Sequence, residues 1–319
     1  MKVLDICFAA DDNYAPYMGV ALASVLSFKK ADEFCRFHIL DDGIGTENKQ
    51  KLSSLQNYYS NFSVSYYPID RATLSRFPVV NTHLSHTAYA RLFMGSLLPT
   101  NISRLIYLDC DVFVRKSLYN LFSVDLGNNL LGGVEDFGVM NLARQNKHLW
   151  PWHEYSYINS GVLLVDLARW RKENAEQQLL AYLQNPPAPL QFEDQDAINF
   201  VFRKQIKILS CKWNGQMYWL TYAWNKYPEI KKYRNLLNTC SVVHYASPAK
   251  PWVRYCGKHK TTLEYQIFMA KTPWKDCFQK ISTPALCKRI FKYWVKHPFF
   301  FLKRKFYQNF RYEGACLFR

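Results

Sequence analysis

Short apolar runs ending in acidic or turn residues alternate with stretches of helical period over most of this chain. "VLDICFAADDNY" predicts a buried first strand. "YAPYMGVALASVLSFKK" predicts a helix, with Tyr17, Val20, Ala21, Ser24, Val25 and Phe28 at helical spacing. "FCRFHILDDG" predicts a second strand closed by a turn, "TENKQKLSSLQNYYS" a helix N-capped by Thr46, and "FSVSYYPID" a third strand. A β-α-β-α-β beginning implies a parallel sheet with crossover helices. "SHTAYARLFMGSLLP" keeps a helical pattern up to Pro99, and "RLIYLDCDVFV", "LLGGVEDFG" and "YINSGVLLVDLARW" read as further strands. Helices are expected in "RWRKENAEQQLLAYLQN" and "EDQDAINFVFRK", and late strands in "IKILSCKWN" and "CSVVHYAS". The expected fold class is α/β, a mostly parallel Rossmann-like sheet flanked by helices.

In open α/β sheets a ligand sits outside the carboxyl ends of the strands. "AADDN", "LDCD" and "GVED" all place acids at such ends. On extended backbone, residues two apart point the same way, so Asp109 and Asp111 converge while Cys110 faces away. Adjacent carboxylates repel unless a cation or a proton intervenes. A hard divalent ion, Mn²⁺ or Mg²⁺, suits such oxygen ligands and bridges to phosphate oxygens. Aspartates after a strand are also ordinary turn residues. Two enzymatic readings compete. Apolar-DxDxV is the nucleophile motif of haloacid-dehalogenase-type phosphohydrolases, where it sits on the first strand; here a complete β-α-β-α-β unit precedes it. In a nucleotide-sugar transferase, a DxD-bound metal holds the diphosphate and neutralises the leaving group.

Taken in order, "AADDNYAPYMGVALASV", "TAYARL", "LIYLDCDVFV", "YINSGVLLVDLARW", "FEDQDAIN" and "HYASPAKPW" resemble family 8 retaining glycosyltransferases. The likeness is to the bacterial lipopolysaccharide and lipooligosaccharide α-galactosyltransferases; it covers Val3 to Trp252 and extends more weakly into the tail. It implies a GT-A fold, a UDP-sugar donor, and Mn²⁺ (or Mg²⁺) held by Asp109, Asp111 and His244. It implies that Lys250 contacts the diphosphate, where an ammonium can stabilise charge developing on departing UDP. Ala10, Asp11, Asp12 and Asn13 match the nucleoside-binding loop, with Asp12 and Asn13 on uracil and ribose. Cys110 lies within the donor motif. His83 and Leu84 match positions near the donor and the acceptor rim, and Arg91 one that reaches the donor sugar or diphosphate. Asp136, Asn159, Asp194 and Gln195 match residues that bind sugar hydroxyls; Asp196 supports or caps its helix. The family's late block usually has glycine where this chain has Ser247, whose backbone N–H could serve the phosphate similarly.

Retention of configuration ordinarily suggests a carboxylate nucleophile and two displacements. The resemblance puts Gln195, a poor nucleophile, nearest the reacting face, which favours front-face substitution. Double displacement would use Asp194 or another carboxylate. The expected donor is UDP-galactose, with UDP-glucose as the alternative, and the expected acceptor is a lipopolysaccharide or lipooligosaccharide core saccharide.

Charge changes the picture at one end. The 319 residues carry a formal net charge of +16, and Lys275–Arg319 holds eleven Lys and Arg against Asp276 and Glu313. Residues 1–271 are expected to form the transferase domain and residues 272–319 a basic, aromatic-rich segment. In that segment Leu286, Ile290, Phe291, Tyr293 and Trp294 share one side of a helical wheel. Lys288, Arg289, Lys292 and Lys296 share the other, and Pro298 ends the helix. This predicts attachment to an anionic membrane surface, with nucleic acid the lesser expectation for such interleaving. Nine cysteines without CxxC or Cys/His spacing, and acids early in "MKVLDICFAADDNY", predict reduced thiols and no signal peptide. The expected location is the cytoplasmic face of the cell membrane. A basic RNA- or membrane-binding protein without catalysis is the alternative from another class.

Overall fold

The computed structural model describes residues 1–74, 77, 86–140, 154–187, 190–217, 235–247, 250–253 and 260–278. Met1–Trp252 and Cys256–Cys277 make one compact unit; the other, Val253–Tyr255 with Phe278–Arg319, lies almost wholly outside the described residues. So does the predicted amphipathic helix.

The first unit begins as the pattern predicts. Strand β1 (Lys2–Asp11), helix α1 (Ala15–Phe28), strand β2 (Glu33–Asp42), helix α2 (Thr46–Ser54) and strand β3 (Phe62–Pro68) form a parallel β3-β2-β1 sheet. β1 also pairs in parallel with β4 (Arg104–Leu108). β7 (Ile158–Asp166) runs antiparallel between β4 and β6 (Leu131–Glu135), and β6 takes β8 (Ile206–Ile208) in parallel. The order is β3-β2-β1-β4-β7-β6-β8. The chain steps outward from β1 in both directions, so the β1/β4 boundary is the topological switch point at which such sheets bind ligands.

A second sheet sits at that end. β5 (Val112–Val114), β9 (Gly215–Gln216) and β10 (Val242–His244) align in the order β5-β10-β9, with β5 and β10 antiparallel. Helix α1 is buried along nearly its whole length, as a helix apolar on every side must be. Ser24 ties it to the small sheet by accepting from the Val114 N–H at 3.0 Å.

Three local expectations differ. Helix α2 starts at Thr46, but its N-cap is Gly45, with no side-chain cap bond. "HTAYARLF" winds as a 3₁₀ helix, His86–Phe93, before one α turn at Met94–Leu97. The long helix expected after β7 is two, α3 (Leu167–Lys172) and α4 (Ala175–Gln184), broken where Asn174 takes φ 53°. Helices α5 (Glu193–Phe202) and α6 (Lys260–Met269) complete the unit.

Candidate active site

Asp109 and Asp111 occupy the short link between β4 and β5, with one strand end anchored in each sheet. The Asp109 N–H donates to the Gly161 carbonyl at 2.8 Å, and the Asp111 carbonyl accepts from the Tyr245 N–H at 3.0 Å. Register pairs His244 with Val112, directly after the aspartates. One ligand atom from each of Asp109, Asp111 and His244 lies within 4.8 Å of the others. Asp111 and His244 are buried, and Asp109 keeps a quarter of its side chain exposed.

Whether these atoms suit a cation turns on the proton of His244. Asp136 Oδ2 accepts from Asn159 Nδ2 at 3.1 Å, and a carboxylate can only accept. That turns Asn159 Oδ1 toward the Gly161 N–H (3.1 Å) and Asn214 Nδ2 (2.9 Å). Asn214 Oδ1 therefore faces His244 Nδ1 at 3.0 Å and must accept its proton. In the neutral imidazole, Nε2 is left with a lone pair, 3.1 Å from Asp111 Oδ1 and 3.8 Å from Asp109 Oδ2. Asp111 Oδ1 is buried without a hydrogen-bond donor despite that proximity. Two carboxylates and an imidazole lone pair aimed at one point fit a divalent ion such as Mn²⁺. Room for it depends on Gly161: a Cβ there would stand 2.2 Å from His244 Cε1 and 2.7 Å from Asp109 Oδ2.

Lys250 Nζ lies 2.5 Å from Asp111 Oδ2. Burial alone would raise the Asp111 carboxyl, but the Lys250 ammonium beside it opposes this and holds the group below the usual range. Beyond Lys250, Trp252 anchors the loop by stacking on Tyr17, ring centroids 3.7 Å apart.

Arg91 spans the floor of the site. It pairs with Asp109 Oδ1 and Asp194 Oδ2, each at 3.0 Å, donates to the Ser160 carbonyl at 2.8 Å, and lies over the Tyr107 ring. Burial pushes the Asp194 carboxyl up to about 7 although Arg91 opposes it. Gln195 is fully engaged. Its Oε1 accepts from Asn159 Nδ2 (3.1 Å) and the Ser160 N–H (3.0 Å), while Nε2 donates to Asp136 Oδ2 (3.3 Å) and Tyr157 Oη (3.4 Å). Glu193 opens α5 at φ 43°, a strained conformation for a side-chain-bearing residue, and the turn it makes carries Asp194 and Gln195. Asp196 supports that same helix start, accepting from the N–H groups of Gln191 and Phe192.

The β1 loop borders this cluster less directly. Asp11 Oδ1 accepts from the Tyr14 N–H, Asp12 Oδ1 binds α2 through the Gly45 N–H and Asn48, and Asn13 is exposed. Ala10 is buried, and the buried Cys110 thiol donates to the Ala9 carbonyl at 3.1 Å, away from the aspartates. His83 and Leu84 lie outside the described residues. The Ser247 N–H donates to the Tyr245 carbonyl at 2.7 Å.

The profile of Glycosyl transferase family 8 matches residues 5–256. The chain belongs to this family. Among solved structures, the chain is similar to the galactosyltransferase LgtC in complex with donor and acceptor sugar analogs. The TM-score is 0.74 at 31% identity, over 85% of this chain and 96% of that one. General stress protein A of Bacillus subtilis is 27% identical across 89% of this chain and 98% of its own length. Lipopolysaccharide 1,3-galactosyltransferase of Salmonella typhimurium is 24% identical across 92% and 85%. This family 8 glycosyltransferase thus has the GT-A-like α/β architecture, and the phosphohydrolase reading of Asp109 and Asp111 falls away.

Gly161, Ser160 and Asn214 were not among the residues read from the sequence. "INSG" contains the first two, but only the neighbouring Asn159 stood out there. Asn214 sits in "CKWNG" without any motif, and its role appears only when β9 and β10 pair.

Proposed function

We propose that this chain is a metal-dependent, retaining α-hexosyltransferase that moves galactose from UDP-galactose to a lipopolysaccharide or lipooligosaccharide core saccharide. The observation that carries the reading is the convergence of Asp109, Asp111 and the His244 Nε2 lone pair, fixed by Asn214. A divalent cation bound there, Mn²⁺ or Mg²⁺, would act as a Lewis acid on the donor diphosphate.

The chain's own residues do the rest. Lys250, 2.5 Å from Asp111, would turn its ammonium to the diphosphate and stabilise charge on departing UDP. Asp136, Asn159 and Asp194 would receive the sugar hydroxyls, and Arg91 would hold Asp109 and Asp194 in register. Gln195, bonded on both ends of its amide, orients the sugar face and is not free to attack carbon. Asp194 is a poor nucleophile for double displacement, since it is buried and its carboxylate is paired with Arg91. Front-face substitution follows, with the acceptor hydroxyl proton passing to a phosphate oxygen of the leaving UDP. A glycosyl adduct at Asp194, seen by intact-protein mass spectrometry at slow turnover, would overturn this mechanism.

The basic-aromatic segment from residue 272 is proposed to hold the enzyme on an anionic membrane surface where a glycolipid acceptor resides. No helix among the described residues is long and apolar enough to cross a membrane. The deciding assay is a panel of UDP-hexoses with Mn²⁺, with and without EDTA, against lactose-type and lipopolysaccharide-core acceptors. UDP-galactose should turn over fastest, with loss in EDTA and recovery on Mn²⁺. Faster turnover of UDP-glucose would select the glucosyltransferase alternative, and activity unaffected by EDTA would sink the metal reading.

A further inference from the structure

The segment after α6 reaches back to the nucleotide end of the sheet through Trp274. Its indole is fully buried against α1, over Gly19, where a Cβ would stand 2.2 Å from Cη2. Only glycine leaves the ring that seat. The indole Nε1–H donates to Asn48 Oδ1 at 3.1 Å, and Asn48 Nδ2 donates to Asp12 Oδ1 at 2.9 Å. An indole N–H can only donate and a carboxylate can only accept, so the amide between them stands one way round. The Gly45 N–H adds a second donor to Asp12 Oδ1 at 2.8 Å. The bonds from Asn48 and Gly45 hold the Asp12 carboxyl below its ordinary range. Among the described residues no hydrogen bond falls on Asp12 Oδ2, which leaves that oxygen to accept from a ligand.

Asp12 lies one residue past β1, across the switch point from the Asp109–Asp111 link. Trp274 lies beyond residues 5–256, the part of the chain that the family profile matches. We infer that Trp274 is a positioning residue for nucleoside binding: it fixes Asn48, and through Asn48 it presents the Asp12 carboxylate to the hydroxyls or the base of a nucleoside diphosphate. The inference rests on the UDP-sugar reading above. It assigns the C-terminal segment a part in donor binding separate from any membrane contact.

The test uses the full-length protein and two probes, UDP in the presence of Mn²⁺ and Mn²⁺ alone, by calorimetry. Trp274→Phe keeps a ring over Gly19 and removes the N–H. It should weaken UDP binding about three- to tenfold, the range of one net hydrogen bond, and leave Mn²⁺ binding unchanged. Asn48→Ala should cause a similar or larger loss, and adding Trp274→Phe to it should cost nothing more, since the effect travels through Asn48. If Trp274→Phe unfolds, Asn48→Ala on the α2 surface carries the test alone. UDP affinity equal to wild type in the folded variants would overturn the inference, as would parallel loss of Mn²⁺ affinity, which marks general damage. A wild type that binds no UDP would instead overturn the donor reading on which the inference rests.

Discussion

His244 Nδ1 and Asn214 Oδ1 stand 3.0 Å apart, and this bond decides which side of the imidazole carries the proton. The order runs back through Asn159 to Asp136, so a carboxylate outside the ligand set fixes the tautomer of a ligand. Asn214→Leu removes the acceptor. Divalent-ion affinity should fall about 10- to 100-fold, the usual cost of losing such an outer partner, with the fold retained. Asn214→Asp keeps the acceptor for His244 but loses the donor to Asn159 Oδ1, so its affinity should fall between those of wild type and Asn214→Leu. Titration with Mn²⁺, followed by electron paramagnetic resonance of the free ion, reads both.

Gly161 is needed for space rather than for turn geometry. In Gly161→Ala the new Cβ would press on His244 Cε1 and Asp109 Oδ2 together. Overpacking of this kind costs about 1–3 kcal/mol, so thermal denaturation should show a lower Tm. Mn²⁺ affinity should fall at least about tenfold, as far as the outer-shell loss above or further. Normal ion binding in this variant would show that the ligands have other room.

Lys250 competes for the oxygen that an ion would use. With Nζ 2.5 Å from Asp111 Oδ2, the ammonium already neutralises part of the site. Lys250→Met should therefore bind Mn²⁺ more tightly in the absence of UDP, while transfer from the UDP-sugar falls by about two orders of magnitude. Weaker ion binding would mean that Lys250 supports the ligands instead.

Asp194 sets a pH signature. Its folded-state value of about 7 lies above the ordinary carboxyl value, because burial disfavours the charge. Between roughly pH 4 and 7 the folded protein then binds the proton that the unfolded chain has released, so this group's contribution to stability falls as pH rises. The Tm difference between wild type and Asp194→Asn should shift against wild type across that window and flatten above it. A difference constant with pH would refute the assignment.

The basic segment can be removed without touching the first unit only if the cut follows Cys277. A chain ending there keeps Trp274 on α1 and should melt like the full-length protein, yet float less with anionic liposomes. A chain ending at Lys271 loses Trp274 and should also lose stability. Equal flotation of the full-length chain and the one ending at Cys277 would end the anchor proposal.

Much of this molecule was legible in its pattern of residues. The long apolar runs of β1, β2, β4 and β7 announced themselves, and acids at strand ends marked the site before any side chain was placed. The direction of β7 was not legible, because a buried strand carries the same residues whether its neighbours run with it or against it. β5 and β9, three and two residues long, are too short for any period to show. Arg91 was placed by resemblance alone, and its bridge from Asp109 to Asp194 needs three segments distant in sequence. Gly161 was invisible for a similar reason: what excludes a side chain there is His244, on another strand of another sheet.

The pairing of β5 with β10 has a consequence for folding. Asp111 and Lys250 are 139 residues apart in the chain, and the register that places His244 beside Val112 closes that loop. Such a contact forms late, since the entropy of closing a long loop must first be overcome. A half-folded chain would hold two aspartates and no third ligand. An ion that prefers the finished centre binds the native state over every earlier one, and its affinity adds directly to the stability of the whole unit. Mn²⁺ would then be a fastener across the chain as well as a reagent, and the midpoint of unfolding would rise with its concentration.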